Sequence, residues 1–238
     1  MDGSGIAIVT GGSRGIGRAA AVGLAEQGFT VAIVGQDASR VASAVEEMVG
    51  AGHDVIGQVC DVTDPPDVAL LGAEIAAVGP VELVVNSAGV MSDRMAKTLR
   101  ASPEEWRRVI DVNLFGAIHL IGQFGPAMVE RRRGRVVNVS ACLGRFTGPG
   151  LAGGLAPYRV SKAALNALTL NFAAETGFGR RGVLVDAMCP AHCRTDMGGP
   201  DAPRSAEQGA DTIVWLATRD AVGAQTGRLW EDRQPIPW

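Results

Sequence analysis

Tyrosine is almost missing from this chain of 238 residues: there is one, Tyr158. Lysine is nearly as rare. Lys97 and Lys162 are the only two, so positive charge is carried almost entirely by arginine. An excess of basic charge is also lacking. The formal net charge is −3 and the pI about 5.7, which argues against nucleic acid or an anionic membrane as the main partner. The one basic run, residues 131–135 interrupted by Gly134, ends a predicted helix and complements its dipole there. No basic-then-apolar leader precedes Ile6, and no apolar run approaches membrane-spanning length. A cytoplasmic protein is therefore expected. Four cysteines, Cys60, Cys142, Cys189 and Cys193, are consistent with reduced thiols. Cys189, His192 and Cys193 are the nearest approach to a metal cluster. No second group of ligands accompanies them, so no metal is expected. Internal repeats and interdomain linkers are absent too, which leaves one domain over residues 1–238.

What the chain does have is alternation. Apolar, β-branched runs at residues 6–10, 30–34, 54–59, 82–86, 135–140 and 183–188 read as buried strands, with a short last strand at 228–230. The intervening segments are long enough for crossover helices, so the sheet is parallel and covered on both faces. Helix starts are marked by Ser102-Pro103-Glu104-Glu105, by Ser205-Ala206-Glu207-Gln208 and by Asp64 before Pro65. The Arg, Ala and Gly bias points to a GC-rich bacterial genome.

The first strand runs into Thr10-Gly11-Gly12-Ser13-Arg14-Gly15-Ile16-Gly17 and then an apolar helix. Glycines let the backbone turn tightly and approach a pyrophosphate, while the new helix offers free N–H groups and a positive dipole end. Further on, Tyr158 sits four residues before Lys162, so both side chains share one helix face. A phenol beside an ammonium is a proton donor of lowered pKa, because the cation favours the phenolate. The Gly-rich stretch 144–154 lies just before Tyr158 and reads as a loop at the site mouth.

These two motifs together resemble the classical short-chain dehydrogenase/reductase family. Other segments agree along nearly the whole chain: Cys60-Asp61-Val62, Asn86-Ser87-Ala88-Gly89, Asp111-Val112-Asn113, and Cys189-Pro190-Ala191 through Thr195. The tail is most similar to the carbonyl-reductase branch, without the long insertion before the tyrosine that some of its members carry. The resemblance implies one doubly wound α/β Rossmann domain with a seven-stranded parallel sheet. It implies that Tyr158 protonates a carbonyl oxygen as hydride arrives from a nicotinamide, that Lys162 lowers the tyrosine pKa and holds the ribose, and that Asn113 supports a water relay. It implies dinucleotide contacts at Gly11, Ser13, Arg14, Gly15, Ile16, Gly17, Gln36, Asp61, Val62, Asn86, Ala88, Gly89, Pro190, Ala191, Cys193 and Thr195, besides Tyr158 and Lys162. Met91, Ala141, Cys142, Leu143 and His192 should line the substrate pocket. Cys142 shows no activating neighbour in the sequence, so a reactive thiol is not expected. A homodimer or homotetramer through the helices near Trp106 and after Tyr158 is also implied, although the carbonyl-reductase branch includes monomers.

Gly35 takes the slot in which an acidic residue would bind a ribose 2′-hydroxyl and repel a 2′-phosphate. Arg14 can meet that phosphate with a charge-assisted contact. Gln36 follows, with Asp37 nearby, and NADP(H) is favoured over NAD(H).

The family's serine that hydrogen-bonds the substrate oxygen has no clear counterpart. Counting from Gly134 and from Gly144 puts Ala141 in its slot, with Ser140 one residue earlier on the opposite face of the strand. Four explanations stand open: Ser140 substitutes through a bulge, the enzyme works without the hydroxyl, serine was changed to alanine to trap a complex, or the chemistry has left redox. The expected function is NADPH-dependent reduction of a carbonyl on a hydrophobic small molecule, or its reverse. A non-redox dehydratase, epimerase, isomerase or cyclase, and a non-catalytic dinucleotide-binding module, are the alternatives.

Overall fold

The computed structural model describes residues 5–93 and 95–238. Eight strands form one sheet in the order β3-β2-β1-β4-β5-β6-β7-β8. They are β1 (Ile6–Thr10), β2 (Thr30–Gly35), β3 (Val55–Val59), β4 (Val81–Asn86), β5 (Gly134–Val139), β6 (Val183–Met188), β7 (Leu229–Glu231) and β8 (Gln234–Ile236). The first seven pair in parallel, as expected. The eighth adds an antiparallel edge to β7. Its two-residue turn puts Asp232 at φ 48° and Arg233 at φ 62°, the geometry that twists a hairpin correctly but usually selects Asn-Gly. Arg204 holds Asp232 at 2.5 Å and Asp211 holds the Arg233 Nε at 2.7 Å. Charge pairs thus hold a turn that the sequence does not advertise.

Alternation along the strands divides the core. Val9, Ile33, Val85 and Val137 face one side with Leu24 of helix α1 (Gly15–Glu26), Met48 of α2 (Ala38–Gly50) and Ile213 of α7 (Ala206–Thr218). Ile8, Ala32, Val84 and Val136 face the other with Leu71 of α3 (Pro65–Ala76), Leu120 of α5 (Gly116–Arg131) and Ala173 of α6 (Ala156–Glu175). At about 25 cal/mol per Å² of apolar area, each of these valine, leucine, isoleucine and methionine side chains contributes roughly 1.5–3 kcal/mol.

α4 (Pro103–Ile110) runs into α5 through one π-helical turn, Asp111–Phe115. The whole helical stretch Pro103–Arg131 is long and apolar enough by composition to cross a membrane. Its α5 part buries Leu120, Phe124 and Met128 against the sheet, which makes it a core helix.

The strand order reverses between β1 and β4. Thr10 closes that point: its Oγ1 accepts the backbone N–H groups of Ser87 and Ala88, each at 3.0 Å. Crevices form where two neighbouring strands send their connections to opposite faces, so the glycine loop and the residues after β4 are brought to one cleft.

Candidate active site

Two features make the glycine loop an anion cradle. Gly17 passes so close to the loop that a Cβ there would stand 2.3 Å from the Gly11 carbonyl oxygen. No side chain caps α1, and its first turn carries no acid. By contrast, Asp37, Ser102 and Ser205 cap α2, α4 and α7. The exposed N–H groups of α1 are therefore left for an external acceptor. Gly15, at φ +55°, faces Thr195, and a Cβ there would lie 3.2 Å from Thr195 Cγ2. The space between loop and threonine would be lost to any other residue, as a bound pyrophosphate requires. These residues fit a dinucleotide.

Gly35, Gln36, Asp61 and Val62, expected at the adenosine end, come together where neighbouring β2 and β3 end. The Gln36 side chain reaches the Asp61 carboxylate. Burial opposes ionisation of Asp61, but hydrogen bonds from Thr63 and Gln36 outweigh it and hold the carboxyl below its ordinary range. Asp37 turns to its own helix, accepting the Arg40 N–H at 3.1 Å and pairing with the Arg40 guanidinium at 3.1 Å. Arg14 pairs across the cleft with Asp196, both largely exposed. Such surface pairs are worth little and are readily exchanged.

At the other end, Tyr158 and Lys162 lie in the first turns of α6, both buried. The Lys162 Nζ donates to the Val139 carbonyl at 2.8 Å and lies 5.8 Å from the centre of the Tyr158 ring. Asn113 sits in the π-helical turn. Its Nδ2 donates to the Ser161 hydroxyl and to the Val90 carbonyl, both at 3.0 Å, and its Oδ1 accepts the Val90 N–H at 2.7 Å. A π-turn re-aims one side chain off the helical register, and such turns are frequent at functional sites. Gly89 borders both groups, since a Cβ there would meet Asn113 Oδ1 at 3.3 Å and Lys162 Nζ at 3.6 Å. Burial pushes Tyr158 up to about 12 and Lys162 down to about 8. The lowered tyrosine pKa expected from the lysine neighbour is thus not found: burial dominates, the phenol stays protonated at neutral pH, and the lysine titrates near physiological pH.

The remaining expected residues divide. Asn86 spends its Nδ2 on Asn138 at 2.8 Å, across the β4–β5 pair, so its backbone and not that amide faces the cleft. Cys193 buries its sulphur beside Gly209 of α7 and donates to the Pro190 carbonyl at 3.1 Å. His192 is exposed, with Nε2 2.8 Å from the Gly198 carbonyl. Ser140 is buried and donates to Asn166 Oδ1 at 2.5 Å, whereas Ala141, in extended geometry, is partly exposed on the opposite face. No bulge turns Ser140 round.

Met91 lines an open cleft of about 680 Å³ with Ser92, Asp93, Glu105, Arg108, Asp196 and Met197. Of the residues expected to line the substrate pocket, Met91 does so here, whereas Ala141, Cys142, Leu143 and His192 do not border this cleft. Arg108 enters from α4, held by Glu105 at 2.8 Å and by the Met91 carbonyl at 2.8 Å, and nothing in the local sequence signals that role.

The cysteines need correction. Cys142 and Cys189 form a disulfide, with Cα atoms 5.7 Å apart. Only Cys60 and Cys193 are free. The group of potential ligands that does gather, within 4.8 Å, is Cys142, Cys189 and Glu231. It is not the set Cys189, His192 and Cys193 suggested by sequence proximity.

A doubly wound sheet with an uncapped Gly-rich helix start, facing a buried Tyr–Lys–Asn group, defines a nicotinamide-dinucleotide-dependent oxidoreductase. The particular family follows from comparison. A profile described as short chain dehydrogenase matches residues 5–206, and the chain belongs to that family. It is 35% identical over 193 residues to the 3-oxoacyl-[acyl-carrier-protein] reductase FabG of Staphylococcus aureus, covering 80% of this chain and 75% of that one. Among solved structures, an actinorhodin polyketide ketoreductase variant with NADPH superposes with a TM-score of 0.86 at 25% identity, over 96% and 95% of the two chains. A 3-oxoacyl-[acyl-carrier protein] reductase with bound NAD from Brucella melitensis superposes with a TM-score of 0.81 at 33% identity, over 94% and 87%.

Proposed function

We propose that this short-chain carbonyl reductase uses NADP(H) to reduce a ketone or aldehyde on a hydrophobic small molecule, or runs the reverse reaction, as one domain. The observation that carries the reading is the buried Tyr158–Lys162–Asn113 group beside the glycine cradle. The bound dinucleotide supplies or accepts hydride. Tyr158 gives its phenolic proton to the nascent alkoxide. Lys162, as an ammonium, stabilises the phenolate left behind and holds the ribose. Asn113 fixes the Val90 backbone and connects through Ser161 to the Tyr158 carbonyl at 2.7 Å, which keeps the helix turn in register.

Ketoreductase relatives support a carbonyl substrate. Exposed Phe146 and Leu151 on the loop before Tyr158 support an apolar one, while the cleft beside Met91 and Met197 also offers the charged Asp93, Glu105, Arg108 and Asp196 to a polar end of the substrate. NADP(H) is favoured because Gly35 leaves no acid at the ribose and Asp37 is taken up by α2. The bound NAD of one relative makes the NADPH/NADH preference a quantity to measure. Exposed Phe115 in the π-helical turn, with Val160 and Leu170 on α6, supports a homodimer or homotetramer.

The test is NADPH consumption against a panel of ketones, quinones and aldehydes. Tyr158→Phe is expected to remove turnover by at least about 10², the range of a lost acid catalyst. Intact turnover in that variant would refute the assignment. The absence of a hydroxyl at Ala141 favours a second reading, in which the same group performs a redox-neutral isomerisation or dehydration. Product formed without net change in nicotinamide absorbance would select it.

A further inference from the structure

The proton-transfer group leaves one pair of nucleophilic side chains unused. Cys142 follows Ala141 just after β5, and Cys189 follows β6 directly. The two strands are neighbours, with Val139 opposite Met188. Their exits therefore emerge side by side, and the Cα separation of 5.7 Å lies in the ordinary range for a bridge. Each sulphur also has a neighbour suited to exchange. Cys189 Sγ accepts the N–H groups of Cys142 at 3.0 Å and Ala191 at 3.4 Å, which favours a thiolate. Cys142 Sγ lies 3.3 Å from Glu231 Oε2, a carboxylate placed to take a thiol proton. Cys142 is half-buried and reachable, while Cys189 lies beneath it. The other thiols are unlike them. Burial first, then the nearby Asp67, Asp61, Asp64 and Glu74, push Cys60 up to about 11, and burial raises Cys193.

We propose that Cys142 and Cys189 are a reversible oxidation site that ties the substrate wall to the nicotinamide-holding segment. The placement of those two segments rests on the function proposed above. In oxidation by a small disulfide, Cys142 loses its proton to Glu231 and attacks one sulphur of the oxidant. A mixed disulfide forms and one thiolate leaves. Cys189, as thiolate, then attacks the Cys142 sulphur and expels the second. Two protein thiols become one disulfide, and one oxidant disulfide becomes two thiols. A dithiol reverses both steps. Disulfides in a reducing compartment are mostly transient and sensing, which suits a pair at the reaction centre. In the oxidised form, the one whose glycine loop and Thr195 fit a dinucleotide, the bond pins Cys189, two residues before Ala191, and so holds the start of the segment 190–195 in place. Reduction frees that end of β6, and affinity is then expected to fall at least about fivefold, the lower end of ordinary coupling between sites.

The experiment treats the whole protein with glutathione disulfide or with dithiothreitol. It alkylates under denaturing conditions, maps the peptides, and titrates NADPH and NADH onto each form by nicotinamide fluorescence. The expected result is a linked Cys142–Cys189 peptide after oxidant, with Cys60 and Cys193 alkylated, and all four alkylated after dithiothreitol. Tighter dinucleotide binding should accompany the link, and Cys142→Ser should bind equally before and after oxidant. Cys142 and Cys189 both alkylated after oxidant would overturn the proposal. So would a bond that dithiothreitol leaves closed, or one that opens with unchanged affinity. Failure of both forms to bind any dinucleotide would refute the functional reading, and the peptide map would still decide the oxidation site.

Discussion

Replacing Ala141 by serine tests the chemistry of the site with one added oxygen. Ala141 has φ −156° and ψ 151°, ordinary extended backbone that serine adopts without strain. It is partly exposed, and Ser140 on the opposite face is 2% exposed with its hydroxyl committed to Asn166 at 2.5 Å. Asn166 lies eight residues beyond Tyr158 on α6, and the Ser140 Oγ also lies 3.4 Å from the Lys162 carbonyl, so the hydroxyl is held against α6 about one to two turns beyond the proposed proton donor. Its hydrogen is committed there and not to a substrate carbonyl. A preorganised donor to a developing oxyanion is worth about 10²–10³ in rate, or roughly 2.7–4 kcal/mol. Ala141→Ser should therefore raise carbonyl reduction by about two orders of magnitude, measured as NADPH consumption. Ser140→Ala is the control. It should leave the rate within a few-fold and cost about 1–3 kcal/mol of stability, because a buried Asn166 oxygen loses its donor. An unchanged rate in Ala141→Ser, together with a hundredfold loss in Ser140→Ala, would reverse the assignment of the two faces.

Three further outcomes follow from the same geometry. If Lys162 must be an ammonium, its depressed pKa of about 8 means that charge is present below pH 8 and lost above it. Tyr158, at about 12, stays protonated throughout. kcat/KM for reduction should thus be flat at neutral pH and fall above about 8, and Lys162→Arg should abolish that fall; a wild-type profile flat to pH 10 would sink the assignment. Ala191 holds φ 58° without being glycine, which costs roughly 1–2 kcal/mol. Ala191→Gly should recover about half of that after the added chain entropy, a rise of a few degrees in Tm by calorimetry, and a lowered Tm would show that the methyl packs. Finally, the Cys142–Cys189 bond closes a 47-residue separation, worth at most about 4 kcal/mol of unfolded-state entropy. Dithiothreitol should lower Tm by on the order of 10 °C at most, and an unchanged Tm would mean the bond constrains nothing.

The fold was legible because its signals are local. Buried strands such as β2, with Val31-Ala32-Ile33-Val34, are continuous apolar runs, and each marked helix start carries its own cap or proline. The glycine loop was legible for the same reason: every residue of the cradle except Thr195 lies within one turn. β8 was not, because its turn, Asp232-Arg233, is held by Asp211 and Arg204 from elsewhere in the chain. The π-turn at Asn113 was also invisible, since a residue inserted into helical register leaves no compositional trace.

Cys142 marks the limit more sharply. Read along the chain, it has no activating neighbour. Read across the sheet, the pairing of Val139 with Met188 carries it to Cys189, and the pairing of Met188 with Trp230 brings Glu231 beside both. Three segments separated by 47 and 42 positions converge only after β5, β6 and β7 are in register. Chemistry that depends on register cannot be read from spacing, because a slip of one residue would turn each side chain to the other face. The same register turns Ser140 towards α6 and leaves Ala141 partly exposed. Ala141, whose replacement by serine tests the rate, and Cys142, half of the proposed oxidation pair, are thus neighbours in the chain, and one strand alignment aims both.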